Sequence, residues 1–328
     1  MKTYIPEVMN IELTTACPLR CPQCYCHLSE SKHIELETAI YWIREGVKNG
    51  VKNVMLSGGE TLCYPYIYEI VTEAKKICNV VNMAISGYGF TENVLERLIN
   101  SGISGIFVSL NGSTEEINSY TRDGYDFAIS ALQLLYNNKF RNTHISWVMH
   151  ANNSDDFRNV IQIAEKYNVK GLVILSAKPD SNYSLHSTPT KNQMHNIRKA
   201  IRNHRGNVQI SVQTCFSPLL AFLSDIGWLG NLNVGNNKGC GAGRNMFSVS
   251  VDGLLSPCRH LEYLENHTTL ESYWNASTTI QKLREIDNSR REPCISCYYK
   301  DNCRHCLAIN TKKSGELFIG NELCPMQS

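Results

Sequence analysis

The chain has 328 residues, enough for one large domain with a small one, or for two domains. Apolar residues make up 42% and charged residues 19% of it, proportions typical of a globular protein. The net charge of +2 excludes the strongly basic footprint of many nucleic-acid-binding proteins. The N-terminus lacks the apolar region of a signal peptide, and no apolar run approaches the roughly 20 residues of a membrane span. We therefore expect a cytoplasmic protein that binds neither nucleic acid nor membrane.

The first 177 residues alternate between short apolar runs and amphipathic stretches. Six runs are predicted strands, at 8–13, 51–56, 80–85, 105–110, 144–149 and 171–175. Five stretches between them have apolar residues at helical spacing, at about 34–49, 65–78, 91–101, 125–138 and 155–167. Alternating strands and helices form parallel βα units. Because the pattern lapses after six units, we predict an α/β fold with a partial (β/α)6 barrel over residues 1–210 rather than a closed eight-unit barrel.

The second part of the chain changes in character. A loop is predicted at 178–191, a helix at about 190–204 and a strand at 208–214. From about residue 235, glycine, asparagine and cysteine become more frequent. Residues 246–251 and 254–256 flank an Asp-Gly pair and predict a β-hairpin. We predict that residues 211–328 form a small cysteine-rich domain whose core is supplied partly by metal.

The fourteen cysteines are unevenly placed. Four lie between residues 17 and 26, and seven lie between residues 240 and 324. A cytosolic protein keeps its thiols reduced, so a disulfide framework is not expected. Clustering of this kind indicates metal ligation.

Cys17, Cys21 and Cys24 have the spacing C-x3-C-x2-C and follow the first predicted strand. Three thiolates hold three corners of a four-iron cluster and leave the fourth iron open to a ligand. The carboxyl ends of barrel strands form the active-site face, which fits a catalytic role. The alternative is a zinc knuckle with Cys26 or His27 as fourth ligand; otherwise Cys26 is a spare thiol. The spacing resembles the signature of the radical S-adenosylmethionine (SAM) enzymes, in which the open iron chelates the amino and carboxylate groups of SAM.

A Ser-Gly-Gly-Glu run at 57–60 ends the second predicted strand and resembles the Gly-Gly-Glu motif of that family. Gly58 and Gly59 would let the backbone approach the ligand because they have no Cβ, and the charge of Glu60 matches the SAM ammonium. The alternative is a plain strand-to-helix turn. The family usually has an aromatic residue just before the third cysteine, where this chain has Gln23. In the segment after the fourth predicted strand, the family usually has an acidic residue where this chain has Asn111. The resemblance implies further SAM contacts at Ser86, Ser109, Asn111, Arg122 and Tyr25.

The C-terminal cysteines have the most specific spacing in the chain. They follow the patterns C-x12-G-x4-C and C-x2-C-x5-C-x2-C, and a last cysteine closes the series. Their order resembles the SPASM domain of radical SAM peptide and protein maturases, although the last interval is usually x3. Two structural zinc sites are the alternative, since C-x2-C pairs suit zinc equally well.

In the SPASM family, the seven cysteines bind two auxiliary iron–sulfur clusters, which we expect to be four-iron clusters. The motif leaves one cluster without a fourth protein ligand. Either Cys215 is that ligand, which we favour, or the fourth iron is open to substrate. The resemblance implies one ligand set of Cys294, Cys297, Cys303 and Cys324, and another of Cys240, Cys258 and Cys306.

The resemblance also implies a mechanism. In that family, an electron from a donor such as flavodoxin or ferredoxin leads to cleavage of SAM, and the resulting 5′-deoxyadenosyl radical abstracts a hydrogen atom from a substrate carbon. The substrate radical must then lose an electron, and auxiliary clusters are suited to accept it. The favoured outcome is a new C–C, C–S or C–O crosslink in a ribosomally made precursor peptide. Because Cys17 starts the barrel almost at once, we expect a separate leader-binding protein or a different surface to recognise the leader.

Three rival functions are also compatible with the sequence. A peptide epimerase would need a hydrogen-donor thiol; Cys63, three residues past Glu60, is a weak catalytic candidate whose alternative role is packing. A sulfatase-type maturase would need a general base, for which His150, His260 and Asp180 are candidates. A non-enzymatic, zinc-stabilised binding module is the third.

Overall fold

The computed structural model describes residues 4–26, 30–178, 189–224, 232–233, 239–320 and 324. Two compact units divide the chain. The first comprises Met1–Leu19, Cys26–Phe107 and Gly241–Glu285, and the second comprises Arg20–Tyr25, Val108–Cys240 and Ile286–Ser328. The two units cut the chain differently from the predicted division at residue 210, which stays a prediction about domain organisation.

The described residues contain ten strands and eleven α-helices. The strands in chain order are β1 (Val8–Thr14), β2 (Asn53–Gly58), β3 (Val80–Ile85), β4 (Gly105–Ser109), β5 (Thr143–Met149), β6 (Gly171–Ser176), β7 (Gln209–Val212), β8 (Leu232–Asn233), β9 (Met246–Val249) and β10 (Leu255–Ser256). The helices are α1 (Leu36–Lys48), α2 (Ile67–Ile77), α3 (Glu92–Ser101), α4 (Glu115–Ser119), α5 (Tyr125–Asn137), α6 (Phe157–Lys166), α7 (Lys191–Asn203), α8 (Ser217–Ser224), α9 (Leu270–Ala276), α10 (Thr278–Glu285) and α11 (Leu307–Ser314).

The predicted parallel α/β fold is confirmed. All six predicted strands are present as β1 to β6, and the five predicted helices are α1, α2, α3, α5 and α6. The predicted helix and strand that follow are α7 and β7. The short helix α4 was not predicted, because its five residues are too few to show an apolar period. Most of the predicted loop at 178–191 lies outside the described residues.

In the first unit, β1 lies between two parallel neighbours, β2 and β9. Met9, Ile11 and Leu13 alternate along β1 and are fully buried, so one face of the strand packs into the core. The predicted hairpin is confirmed, because β9 and β10 pair antiparallel. The parallel pairing of β9 with β1 was not predicted, since nothing local in the sequence connects two segments so far apart.

Contacts with α1 hold residues 241–285 in the first unit. The Trp42 indole N–H donates to the Gly253 carbonyl at 3.0 Å. The Glu45 carboxylate, largely buried, accepts from the Leu270 backbone N–H at 3.0 Å, at the first residue of α9. A carboxylate at a helix N-terminus satisfies an otherwise unpaired N–H group and complements the helix dipole.

In the second unit, β5, β6, β7 and β8 pair in parallel in chain order. The core of this unit contains Trp147 on β5 and Phe157 on α6, whose ring centroids lie 4.7 Å apart. No helix in the described part of either unit is long and apolar enough to cross a bilayer.

His144, a histidine of the second unit, should contribute to a dependence of stability on pH. Burial and the nearby charge of Lys170 lower the pKa of His144 on β5 to about 4, against about 6.5 in an unfolded chain. Between pH 4 and pH 6.5, the unfolded chain binds a proton that the folded chain excludes. The contribution of neutral His144 to the free energy of unfolding is therefore complete above pH 6.5 and is lost as the pH falls toward 4. Since the ring is partly accessible, we expect a loss of about 1–3 kcal/mol in the free energy of unfolding.

Urea unfolding at pH 7.5 and pH 4.5 measures this effect. The variant His144→Gln should lose less stability between the two pH values than the unchanged chain does. The control His195→Gln alters an exposed histidine and should keep the full pH dependence. Equal losses in all three proteins would contradict the assignment.

Candidate functional site

The predicted Gly-Gly pair closes a tight backbone contact in the first unit. Gly58 ends β2 with a φ of +145°, where L side chains are rarely found. The Gly59 N–H donates to the Thr14 carbonyl at 2.7 Å, and a Cβ on Gly59 would lie 2.5 Å from the Ala16 carbonyl oxygen. The glycines therefore bring the backbone against the segment that leads into Cys17. Their expected approach to a ligand stays a prediction.

Glu60 is fixed between the ends of β2 and β3. Its side chain is 1% exposed, and one carboxylate oxygen accepts from the Ser86 backbone N–H at 2.7 Å and from the Ser86 hydroxyl. The other oxygen accepts from the Leu62 N–H at 3.1 Å. A buried carboxylate favours a positive partner. Both oxygens of Glu60 are thus held by neighbouring groups, and its expected contact with an ammonium stays a prediction.

Two further thiols lie in this region. Cys63 ends the 3-10 helix Thr61–Cys63, and burial together with the Glu60 charge raises the pKa of its thiol, which therefore stays protonated at neutral pH. The Cys26 thiol donates to the Gly58 carbonyl at 3.3 Å. The role of Cys26 as a spare thiol stays a prediction. Cys78, outside this region, is a buried thiol at the end of α2.

The N-terminal cysteine segment begins in the first unit with Cys17 and continues in the second with Cys21 and Cys24. The Cys24 N–H donates to the Cys21 carbonyl at 3.1 Å, which closes a turn between these two residues. None of the three cysteines forms a disulfide, and each is half-buried. Reduced cysteines can supply the thiolates that a three-thiolate iron site uses. His27, the alternative zinc ligand, lies outside the described residues.

Within the second unit, residues 20–25 rest on residues 121–123. The Gln23 N–H donates to the Thr121 carbonyl at 3.2 Å, and the Arg20 N–H donates to the Asp123 carboxylate at 3.2 Å. Arg122 lies between these two anchors and is half-buried, as is Tyr25. The Gln23 side-chain oxygen is buried and has no hydrogen-bond partner in the described part of the chain.

Asn111 is buried in a polar network of the second unit. Its side-chain amide donates to the Thr121 hydroxyl at 2.9 Å and accepts from the Val148 N–H at 3.0 Å. Asn118, on α4, accepts from the Asn111 N–H and donates to the Arg122 carbonyl, both at 2.8 Å. Asn118 thus fixes two of the predicted SAM contacts, and sequence reasoning missed it because no motif includes it. The SAM-contact roles of Asn111, Arg122 and the half-buried Ser109 stay predictions.

Four C-terminal cysteines of the second unit influence one another. Burial and the negative charges of three other cysteines raise the pKa of the Cys303 thiol to about 12. Sulfur atoms in such proximity disfavour the thiolate form unless a cation is present. The three other cysteines are Cys324, Cys294 and Cys297, which complete the first predicted ligand set.

A second sulfur group in the same unit comprises Cys215, Cys240 and Cys306. The Cys215 thiol donates a hydrogen bond to Cys306, which raises the pKa of Cys215 and lowers that of Cys306 to about 5. Cys240 lies close enough for its charge to act on Cys215. The structure thus brings Cys215 together with two members of the second predicted ligand set. The third member, Cys258, belongs to the first unit, where its sulfur accepts from the His260 N–H at 3.5 Å.

Cations of the second unit accompany both sulfur groups. The Lys178 ammonium, almost fully buried, donates to the Cys215 sulfur at 3.0 Å. Arg304 donates to the Cys240 carbonyl at 2.7 Å. Arg290 donates to the Cys303 carbonyl at 3.3 Å. Sequence reasoning missed all three, because a cation outside the cysteine spacing carries no motif.

The donor chemistry of these groups fits iron–sulfur ligation, since thiolates are the usual ligands of four-iron clusters. In the described ranges, no three His, Cys, Asp or Glu side chains converge tightly enough for a single metal ion. A four-iron cluster spans a wider gap between sulfurs than one ion does.

The general-base candidates are spread over the chain. Burial lowers the pKa of His150, which therefore stays neutral at physiological pH. Its ring nitrogen Nδ1 accepts from the Asn152 N–H at 3.1 Å. His260 lies in the first unit beside Cys258. Asp180 lies outside the described residues.

Known proteins resemble this chain in sequence. The PqqA peptide cyclase of Gluconobacter oxydans (strain 621H) is 25% identical over 315 residues, which cover 90% of this chain and 84% of that protein. The mycofactocin maturase MftC of Mycobacterium tuberculosis (strain ATCC 25618 / H37Rv) is 28% identical over 320 residues, which cover 92% and 78%.

Solved structures resemble it in fold. Streptococcus suis SuiB bound to S-adenosylmethionine superposes with a TM-score of 0.77 at 14% identity, covering 98% of this chain and 77% of that one. Native anSMEcpe with bound AdoMet and a Cp18Cys peptide gives a TM-score of 0.73 at 17% identity, covering 98% and 95%. The Radical SAM superfamily profile matches residues 11–164. By this match, residues 11–164 carry a Radical SAM domain.

Proposed function

We propose that this enzyme is a maturase that forms an oxidative crosslink, C–C, C–S or C–O, in a ribosomally made precursor peptide. The observation that carries the proposal is the presence of two sulfur groups in the second unit, around Cys303 and around Cys215. An oxidative crosslink requires that electrons leave the substrate, and thiolate-ligated clusters carry electrons. The similarity to a PqqA peptide cyclase and to a mycofactocin maturase supports it, as does the complex of SuiB with precursor peptide SuiA.

The N-terminal cysteines would hold the SAM-binding cluster. Bound SAM with its cluster supplies a 5′-deoxyadenosyl radical that abstracts a hydrogen atom from a substrate carbon. Glu60 orients the SAM amino group, and Arg122 pairs with its carboxylate. The full proposed set is Cys17, Cys21 and Cys24 for the cluster, and Gly58, Gly59, Glu60, Ser86, Ser109, Asn111, Arg122 and Tyr25 for SAM.

Two auxiliary clusters would occupy the remaining sites. Cys215 is proposed as the fourth ligand of its set, because it hydrogen-bonds Cys306 and lies beside Cys240. One proposed set is Cys294, Cys297, Cys303 and Cys324; the other is Cys215, Cys240, Cys258 and Cys306.

The proposed partners follow from this chemistry. Each turnover needs an electron donor such as flavodoxin or ferredoxin. Leader recognition would fall to a separate binding protein or to a different surface of this chain. We place the reaction in the cytoplasm, where the fourteen cysteines stay reduced.

Co-expression with a short peptide encoded beside this gene tests the proposal. We expect the peptide to lose two hydrogens by mass spectrometry, and the triple variant C17A/C21A/C24A to abolish the change. Cys78→Ala, which removes a buried cysteine outside every ligand set, should retain it. Anaerobic reconstitution should give about twelve irons per chain, and Cys303→Ala about four fewer. Zinc without iron would overturn the proposal in favour of the binding module.

Peptide epimerisation is the second candidate function. The observation that favours it is the Cys63 thiol, which stays protonated beside Glu60 and therefore has a hydrogen atom to donate. In heavy water, such a thiol would deliver deuterium, so the peptide would gain about one mass unit instead of losing two hydrogens. Cys63→Ala should then abolish product formation while SAM cleavage continues.

A further inference from the structure

A buried lysine sits where two strands of the second unit end. Lys178 lies two residues beyond β6 and is 7% exposed. Its ammonium donates to the Ser176 hydroxyl at 2.6 Å, to the Gln213 side-chain oxygen at 3.2 Å and to the Cys215 sulfur at 3.0 Å. Gln213 directly follows β7 and is itself held by a backbone bond to Ile174 at 2.8 Å. The ammonium is therefore fixed in position by two neighbouring strands.

The sulfur is the partner that matches the lysine charge. Ser176 and Gln213 offer neutral oxygens, and burying an ammonium among neutral groups alone is costly. A cysteine sulfur that ligates a metal is a negatively charged thiolate. The Lys178 ammonium, 3.0 Å from the Cys215 sulfur, thus places a positive charge beside such a thiolate.

The charge has a consequence for a bound iron–sulfur centre. The reduction potential of such a centre depends on net charge, hydrogen bonds to the sulfurs and solvent exposure. A buried, immobile ammonium in contact with a ligand sulfur changes the net charge and adds a hydrogen bond to a sulfur. Both effects favour the reduced state of the centre, which is the more negative one. Water screens it little at this depth.

We propose that Lys178 is a positioning residue that holds a positive charge against the Cys215 sulfur and thereby raises the reduction potential of the centre at Cys215, Cys240 and Cys306, an inference that rests on the auxiliary clusters of the proposed function. The charge would make this centre the better electron acceptor of the two in the second unit. A purely structural lysine would stabilise the fold without affecting the potential.

The test uses the full chain in the C17A/C21A/C24A background, reconstituted anaerobically, so that only C-terminal centres remain. Iron and sulfide are measured first, and midpoint potentials then come from a reductive titration followed by electron paramagnetic resonance. The variants are K178Q and K178M, which remove the charge, and K178R, which keeps it. K191M is the matched control, because Lys191 is exposed at the start of α7.

We expect K178Q and K178M to lower the equilibrium constant for reduction of one centre about tenfold, equal to about 59 mV for a one-electron couple. The second centre serves as an internal control and should not shift. K178R and K191M should stay close to the unchanged protein. Full iron with unchanged potentials in K178Q would overturn the inference and leave the proposed function standing. Loss of the centre from K178Q and K178R alike would assign Lys178 to folding and overturn it too. Absence of iron from the unchanged C-terminal sites would overturn both.

Discussion

Replacing Gly58 with alanine is expected to lower the free energy of unfolding by about 3–5 kcal/mol, the largest effect of any single methyl group considered. Two costs combine at this position. The φ of +145° is strained for an L residue, and the new Cβ would collide with the Thr14 carbonyl oxygen and lie 3.0 Å from the Thr14 nitrogen. Backbone atoms of a buried strand cannot move aside as a flexible side chain does.

The matched control is Gly89→Ala in the same unit. Gly89 also has a positive φ, of +70°, but no atom lies within 4 Å of the position its Cβ would take. We expect about 1–2 kcal/mol from the backbone conformation alone. Urea unfolding of the metal-free proteins, followed by tryptophan fluorescence, measures the free energy of unfolding of both variants. The difference between the two losses gives the cost of the collision with the strand.

The Gly58 variant should also lose function wherever it still folds. The displaced backbone leads directly into Cys17, so we expect anaerobic reconstitution to yield about four fewer irons per chain than for Gly89→Ala. Equal stability and equal iron content in the two variants would show that the close approach has no role.

Glu60→Gln is expected to weaken SAM binding about tenfold to hundredfold while the protein keeps its iron. Glutamine has nearly the same shape but no charge, and a charged hydrogen bond to an ammonium contributes about 1.5–3 kcal/mol. The amide also places an N–H group where the Ser86 N–H or the Leu62 N–H now donates, so a donor faces a donor. We expect a further loss of about 1–3 kcal/mol in stability.

Two comparisons separate charge from packing. Glu45→Gln makes the same change at another buried carboxylate of the first unit, one that accepts from the Leu270 N–H, so stability should fall while SAM affinity changes little. Glu37→Gln alters an exposed acid of α1 and should change neither the SAM affinity nor the stability. Equilibrium dialysis with SAM measures affinity. If Glu60→Gln binds SAM as tightly as the unchanged protein, Glu60 serves the fold alone.

The sequence predicted what depends on local pattern. Alternating apolar residues identified β1, and helical spacing identified α1, because burial of one face imposes those periods. The family resemblance implied a set that groups Cys303 with Cys294, Cys297 and Cys324, and these cysteines are its neighbours in the structure.

Contacts that depend on tertiary structure were not predictable. A lysine after β6 looks like any polar residue at a strand end until β7 places Gln213 and Cys215 beside it. Asn111 illustrates the converse. Its position after β4 suggested a ligand contact, but the type of residue does not reveal that Thr121 and Val148 already engage its amide.

The parallel pairing of β9 with β1 has a consequence for biosynthesis. β1 leaves the ribosome long before its neighbour β9, which begins only at Met246. Until then, one edge of β1 presents unpaired backbone groups, which is the surface on which strands of different chains associate. We expect a fragment ending at residue 210 to aggregate, and nascent chains of this enzyme to rely on chaperones late in synthesis.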